Sequence, residues 1–127
     1  MINGAHLLLY SHDADADRAM LRDVLGFRSV DVGGGWLIFA LPPAEAAVHP
    51  AEEGPREAAD GTARAELYLM CDDLRATMGE LAAKGVRCTD VHEERWGIRT
   101  IILLPSGAEL GLYQPTHPTA LDLPSAS

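Results

Sequence analysis

The chain has 127 residues, 47% apolar and 23% charged, enough for one core or two small modules sharing one. Its formal charge is −9 with no Lys/Arg cluster, which excludes nucleic-acid binding by phosphate neutralisation and docking on anionic membranes. Cys71 and Cys88 lack zinc-type spacing and are too few for a disulfide framework, so both are expected to be reduced and half-buried. With no basic leader region and no apolar run of membrane length, the expected location is the cytoplasm.

In chain order, residues 5–10 (AHLLLY) read as a strand, and SHDAD offers Ser11 or Asp13 as a helix N-cap. Met20, Leu21, Val24 and Leu25 follow at helical spacing, with Gly26 where a helix-ending glycine belongs. FRSVDV and WLIFAL predict two strands joined through Gly33–Gly35, and LPPAEAAVHP (41–50) predicts a third. Residues 51–63 lack apolar periodicity and read as a linker. The pattern then restarts. AELYLMC (65–71) predicts a strand, and Asp72 or Asp73 caps a helix carrying Leu74, Met78 and Leu81 that ends at Gly85. VRCTDV, IRTIILL and AELGLY predict three more strands. The expected organisation is α+β: two tandem βαβββ modules in one 1–127 domain, at 4–50 and 64–115, with a tail at 116–127.

LPSGAELGLYQP (104–115) echoes 41–50. With one gap, Glu45 aligns with Glu109, Ala47 with Gly111 and His49 with Tyr113; the repeat also sets His6 against Glu66. Period-two alternation then sorts the side chains. One parity, with Leu7, Leu9, Ala46, Val48, Leu67, Leu69, Leu110 and Leu112, is aliphatic and suits packing against the helices. The other holds His6, Glu45, His49, Glu66, Tyr68, Glu109, Gly111 and Tyr113, a composition suited to a ligand cavity. Trp96, beside Gly97, is a candidate stacking residue at its mouth. His12, His92 and His117 fall in turns or the tail and receive no role. Ser106 lies in a turn without the strand–elbow–helix context of a nucleophile.

Through HLLLYSHDADADRAMLRDVLGF, ELYLMCDDLRATMGELAAKGV and WGIRTIILLPSGAELGLYQP, residues 5–115 resemble the vicinal oxygen chelate superfamily. That superfamily includes glyoxalases, bleomycin-resistance proteins and extradiol dioxygenases. The resemblance implies paired βαβββ modules forming a curved mixed sheet around a central cavity, commonly in a homodimer. In metal-dependent members, ligands stand on the first and last strand of each module. The resemblance carries the first-strand positions onto His6 and Glu66, a pair competent for Fe, Mn, Ni or Zn. It carries the last-strand position onto Gly111, matched by Ala47, and neither can bind a metal. Glu109 and Glu45 stand two residues upstream, about 7 Å away.

The residues leave two readings open. One is a small-molecule binding protein of the bleomycin-resistance type, sequestering a cationic or aromatic ligand without a metal through Glu45, His49, Tyr68, Trp96, Glu109 and Tyr113. The other is a divalent-metal-dependent lyase or dioxygenase acting on vicinal oxygens, with His6 and Glu66 as ligands. No residue is assigned a catalytic role.

Overall fold

The computed structural model describes residues 5–50, 65–121 and 123. Its elements run α1 (Ala14–Asp23), β1 (Ser29–Asp31), β2 (Leu37–Phe39), β3 (Tyr68–Met70), α2 (Leu74–Ala83), β4 (His92–Glu94), β5 (Gly97–Leu103) and β6 (Glu109–Pro115). The linker expected at 51–63 and tail residues 122 and 124–127 lie outside the described residues. No described helix is long and apolar enough to cross a membrane.

Both helices begin as their sequences require. Asp13 accepts a hydrogen bond from the Ala16 N–H at 3.2 Å and Asp73 accepts one from the Ala76 N–H at 3.0 Å, so an aspartate satisfies a free donor of each first turn. They end at Gly26 (φ 75°) and Gly85 (φ 80°), left-handed positions that glycine occupies without a Cβ penalty. Each helix buries a short apolar stripe: Met20 and Leu21 from α1, Leu74 and Leu81 from α2.

The second half runs β–α–β–β–β, and its four strands form one mixed sheet in the order β3-β6-β5-β4. β3 and β6 pair in parallel with Tyr68 opposite Gly111; the other pairs are antiparallel. VRCTDV does not form the continuous strand expected. Cys88 makes an isolated bridge to Ile102, whereas His92 pairs with Arg99. Four steps on one side therefore match three on the other, which defines a bulge within 89–91. Thr89 serves it with its side chain: its hydroxyl accepts from the Ile101 N–H at 3.0 Å, while buried Thr100 donates to the Thr89 carbonyl at 2.7 Å.

The first half departs further from expectation. β1 and β2 form the expected hairpin, with the Asp31 carboxylate accepting from the Gly33 N–H at 2.8 Å and the Gly35 N–H at 3.2 Å. Residues 5–10 and 41–50, both expected as strands, carry no strand pairing among the described residues. Leu7, Leu9 and Val48, expected against the helices, stay exposed, Val48 at 98%. Alternation marks a segment as competent to be a strand. It takes a neighbour offering backbone donors and acceptors to make it one, and among the described residues the two-stranded ribbon pairs only with itself.

One core nonetheless joins α1 to the second half: Met20 and Leu21 pack with Leu74, Leu81, Val86, Ile102, Leu104, Leu110 and Leu112. Beside it Asp17, 6% exposed, accepts from the Ser106 N–H at 3.1 Å and the Ser106 hydroxyl at 2.7 Å. The Ser106 oxygen in turn accepts from the Ala108 N–H at 3.1 Å. A buried carboxylate is tolerable only with such donors. Asp17→Ala strands both Ser106 donors and is expected to cost roughly 1.5–3 kcal/mol in urea denaturation, with the slope unchanged. A loss below about 0.5 kcal/mol would show the clamp to be incidental.

Candidate functional site

β6 is flanked by β3 and β5, and its alternation divides the sheet. Leu110 and Leu112 enter the core; Gly111 and Tyr113, also buried, face the other way. In the parallel register, Tyr68 and Met70 lie beside them. Trp96 comes from the two-residue turn between β4 and β5, held against the end of β6 by the Thr116 N–H, which donates to the Trp96 carbonyl at 2.9 Å.

Three rings converge on this face. Tyr68 and Trp96 lie 5.7 Å apart at 79°, Tyr68 and Tyr113 5.7 Å apart at 88°, and Trp96 and Tyr113 5.0 Å apart at 82°. These edge-to-face contacts set the positive edge of one ring against the negative face of another. His117 stacks on Tyr113 at 6.0 Å. Its Nδ1 lies 2.8 Å from the Pro118 carbonyl, which can only accept, so Nδ1 carries a proton. In the neutral ring Nε2 is then the acceptor for the Tyr113 hydroxyl at 3.3 Å. Glu45 joins the same edge. It accepts from the Ala120 N–H at 2.8 Å, and its other oxygen lies 4.0 Å from His117 Nε2.

Burial first, and then the charges of Glu66 and Glu94, raise the Tyr68 phenol above its ordinary pKa; Arg99, paired with Glu94 at 3.0 Å, works against this. Burial, then Glu45, likewise raises Tyr113. Both rings therefore stay neutral and electron-rich in an acidic surrounding.

The structure thus brings together Tyr68, Trp96 and Tyr113, with Glu45 at their edge. The other expected site residues lie elsewhere. Glu109 is exposed at the start of β6 opposite Leu103, about 13 Å along the strand from Tyr113. His49 is exposed on the 41–50 segment, and His6 and Glu66 are exposed ahead of helix α1 and strand β3. Sequence reasoning missed His117; the signal available was a ring residue four positions after Tyr113, between Pro115 and Pro118. A hollow of about 280 Å³ adjoins the aromatic face, lined by Met70, Cys71, Asp72, Pro115, Thr119 and Leu121. A larger groove of about 510 Å³ lies between α1, the end of α2 and the β5–β6 turn.

The donors among the described residues do not fit a metal centre. No group of three or more His, Cys, Asp or Glu among the described residues is placed to hold one. At position 111 an added Cβ would come 2.6 Å from Tyr68 Cγ and closer still to Cδ1 and Cε1, so a side chain there requires the Tyr68 ring to move.

The fold is shared with solved structures. TnmS3, an antibiotic-binding protein from Streptomyces sp. CB03234, is 24% identical and matches 91% of this chain and 100% of its own, with a TM-score of 0.58. A lactoylglutathione lyase from Agrobacterium tumefaciens is 23% identical over 84% of this chain and 88% of its own, at 0.56. A glyoxalase/bleomycin resistance protein from the same Streptomyces is 24% identical over 82% and 93%, at 0.51. The chain shares the fold of these glyoxalase- and bleomycin-resistance-type proteins. No protein-family model and no curated protein matches the sequence.

The phenol shifts set a sign for alkaline pH. A raised folded-state pKa means stability is intact below the unfolded value of about 10 and is lost as pH climbs through the folded value. Absorbance titration at 295 nm is expected to show two phenols ionising later than free tyrosine, with unfolding following. Glu45→Gln is expected to bring Tyr113 back part of the way, burial still holding it up; an unchanged titration would remove Glu45 from the site.

Proposed function

We propose that the protein binds a small molecule on the face formed by Tyr68, Trp96 and Tyr113 between its two halves, and sequesters it without a metal. The observation that carries this reading is the convergence of those three rings with Glu45 at their edge. Ring faces in a field set by Glu45, Glu66 and Glu94, on a chain of charge −9, favour a cationic or aromatic ligand through cation–π attraction and stacking. The likeness to an antibiotic-binding protein supports the same reading. His49 and Glu109 belong to this proposal only as outlying groups, exposed on the 41–50 segment and at the start of β6.

The alternative is a lyase or dioxygenase using Fe, Mn, Ni or Zn on His6 and Glu66. It has in its support the likeness to a lactoylglutathione lyase. The donor geometry at position 111 favours binding without a metal.

The proposal extends to a single domain over 1–127, a cytoplasmic location, where Cys71 and Cys88 stay reduced, and a homodimer. Leu8, Tyr10, Val30, Val32, Trp36 and Val48 are all at least 60% exposed, a concentration of apolar surface in the first half that a second copy would cover. Sedimentation is expected to give twice the 13.6 kDa chain mass at micromolar concentration; a monomer would refute the dimer.

Ligand binding is tested by quenching of Trp96 fluorescence in a Trp36→Phe background, with an N-alkyl acridinium cation as probe. Saturable quenching is expected, weakened roughly tenfold, or about 1.4 kcal/mol, by Tyr68→Ala or Tyr113→Ala. Equal affinity for a sulfonated, anionic acridine would overturn the preference for a cation.

A further inference from the structure

Glycine at position 111 is not demanded by its own backbone. Gly111 is absent from the positive-φ residues, so any L side chain could adopt its conformation. What excludes a side chain is the Tyr68 ring, lying across the strand where Cβ would project, with three ring carbons inside the 3.0 Å that real Cβ contacts do not cross. The contact is built in from both strands. The parallel β3–β6 register sets residues 68 and 111 side by side on one face. Leu67, Leu69, Leu110 and Leu112 pack into the core from the other face and prevent either strand from rotating. Trp96 and Tyr113 meet the same ring edge-on at 5.7 Å each, so it cannot swing off the glycine without losing both contacts.

Position 111 is also the one onto which the superfamily resemblance carries a last-strand metal ligand. We infer that Tyr68 has taken over that ligand's place: its ring covers Gly111, and the face of the second half is an aromatic surface whose shape is set by ring-on-glycine contact. Such a face offers π surface and a phenol hydroxyl in place of an open coordination position. Its ligand is one recognised by stacking or by cation–π attraction, and chelation through vicinal oxygens is excluded. The ligand class rests on the binding function proposed above; the replacement of the metal position by Tyr68 does not.

The test therefore uses no ligand. Gly111→Ala forces the ring to move and is expected to alter the near-UV circular dichroism of the cluster and lower Tm by about 5 °C or more. With Tyr68→Ala already present, the same substitution has nothing to strike, and its effect should fall below about 2 °C. Equal losses in both backgrounds, or an unchanged spectrum, would overturn the inference. If Gly111→Ala alone fails to fold, the Tyr68→Ala/Gly111→Ala chain is still expected to fold as stably as Tyr68→Ala; its failure would also overturn it. Finally, tag-free wild-type protein titrated with Ni(II), Zn(II), Mn(II) or Fe(II) alone is expected to show no thermal shift. Stoichiometric binding lost in Glu66→Ala would return the position to a metal.

Discussion

A strand hydrogen-bonded on both sides cannot choose which side chains it buries once one of its faces meets a core. β6 is in that position, between β3 and β5, and its leucines at 110 and 112 are nearly inaccessible. Residues 111 and 113 are thereby committed to the opposite face, and the parallel partner brings Tyr68 and Met70 to the same side. The aromatic group follows from this alternation. Its rings need no cofactor to hold them, because edge-to-face contacts and strand register do so.

The β5–β6 turn places the start of that strand, and the turn is in turn held by α1 of the first half. Asp17 is the link: a carboxylate nearly removed from water, satisfied by both donors of Ser106. An interaction spanning 89 residues of sequence thus determines where β6 begins. A serine that offers nothing as a nucleophile serves here as a pair of hydrogen-bond donors. The halves share a core, although the first contributes only a helix and a separate ribbon to the described structure.

At the other end of β6 the chain leaves the sheet, and His117 folds back over Tyr113. Through it the acidic residue of the 41–50 segment reaches the aromatic edge. Glu45 and Glu109, matched in the internal repeat, consequently have different fates. One bonds to the tail beside Tyr113 and the other stands at the far end of the strand. Repeated sequence gave rise to similar local chemistry, and the partners available to each copy made the two positions unequal.

Local physical chemistry was enough to read the helices and their ends from the sequence, because Asp13, Asp73, Gly26 and Gly85 act within a turn or two of themselves. Alternation sufficed to separate Leu110 and Leu112 from Gly111 and Tyr113, and to put Tyr68 with the latter. Trp96 and Glu45 could be named as candidates, though not placed beside Tyr68 and Tyr113. What only the tertiary structure decided is adjacency. The bulge at 89–91 arises from pairing with β5, and 5–10 and 41–50 join no strand ladder among the described residues. His117 meets Tyr113 through the return of the tail, and Gly111 matters because of a ring from another strand. Period-two patterning records which way a side chain points; it holds no information about which strand lies alongside or in what register, and on this protein's aromatic face the register supplies the chemistry.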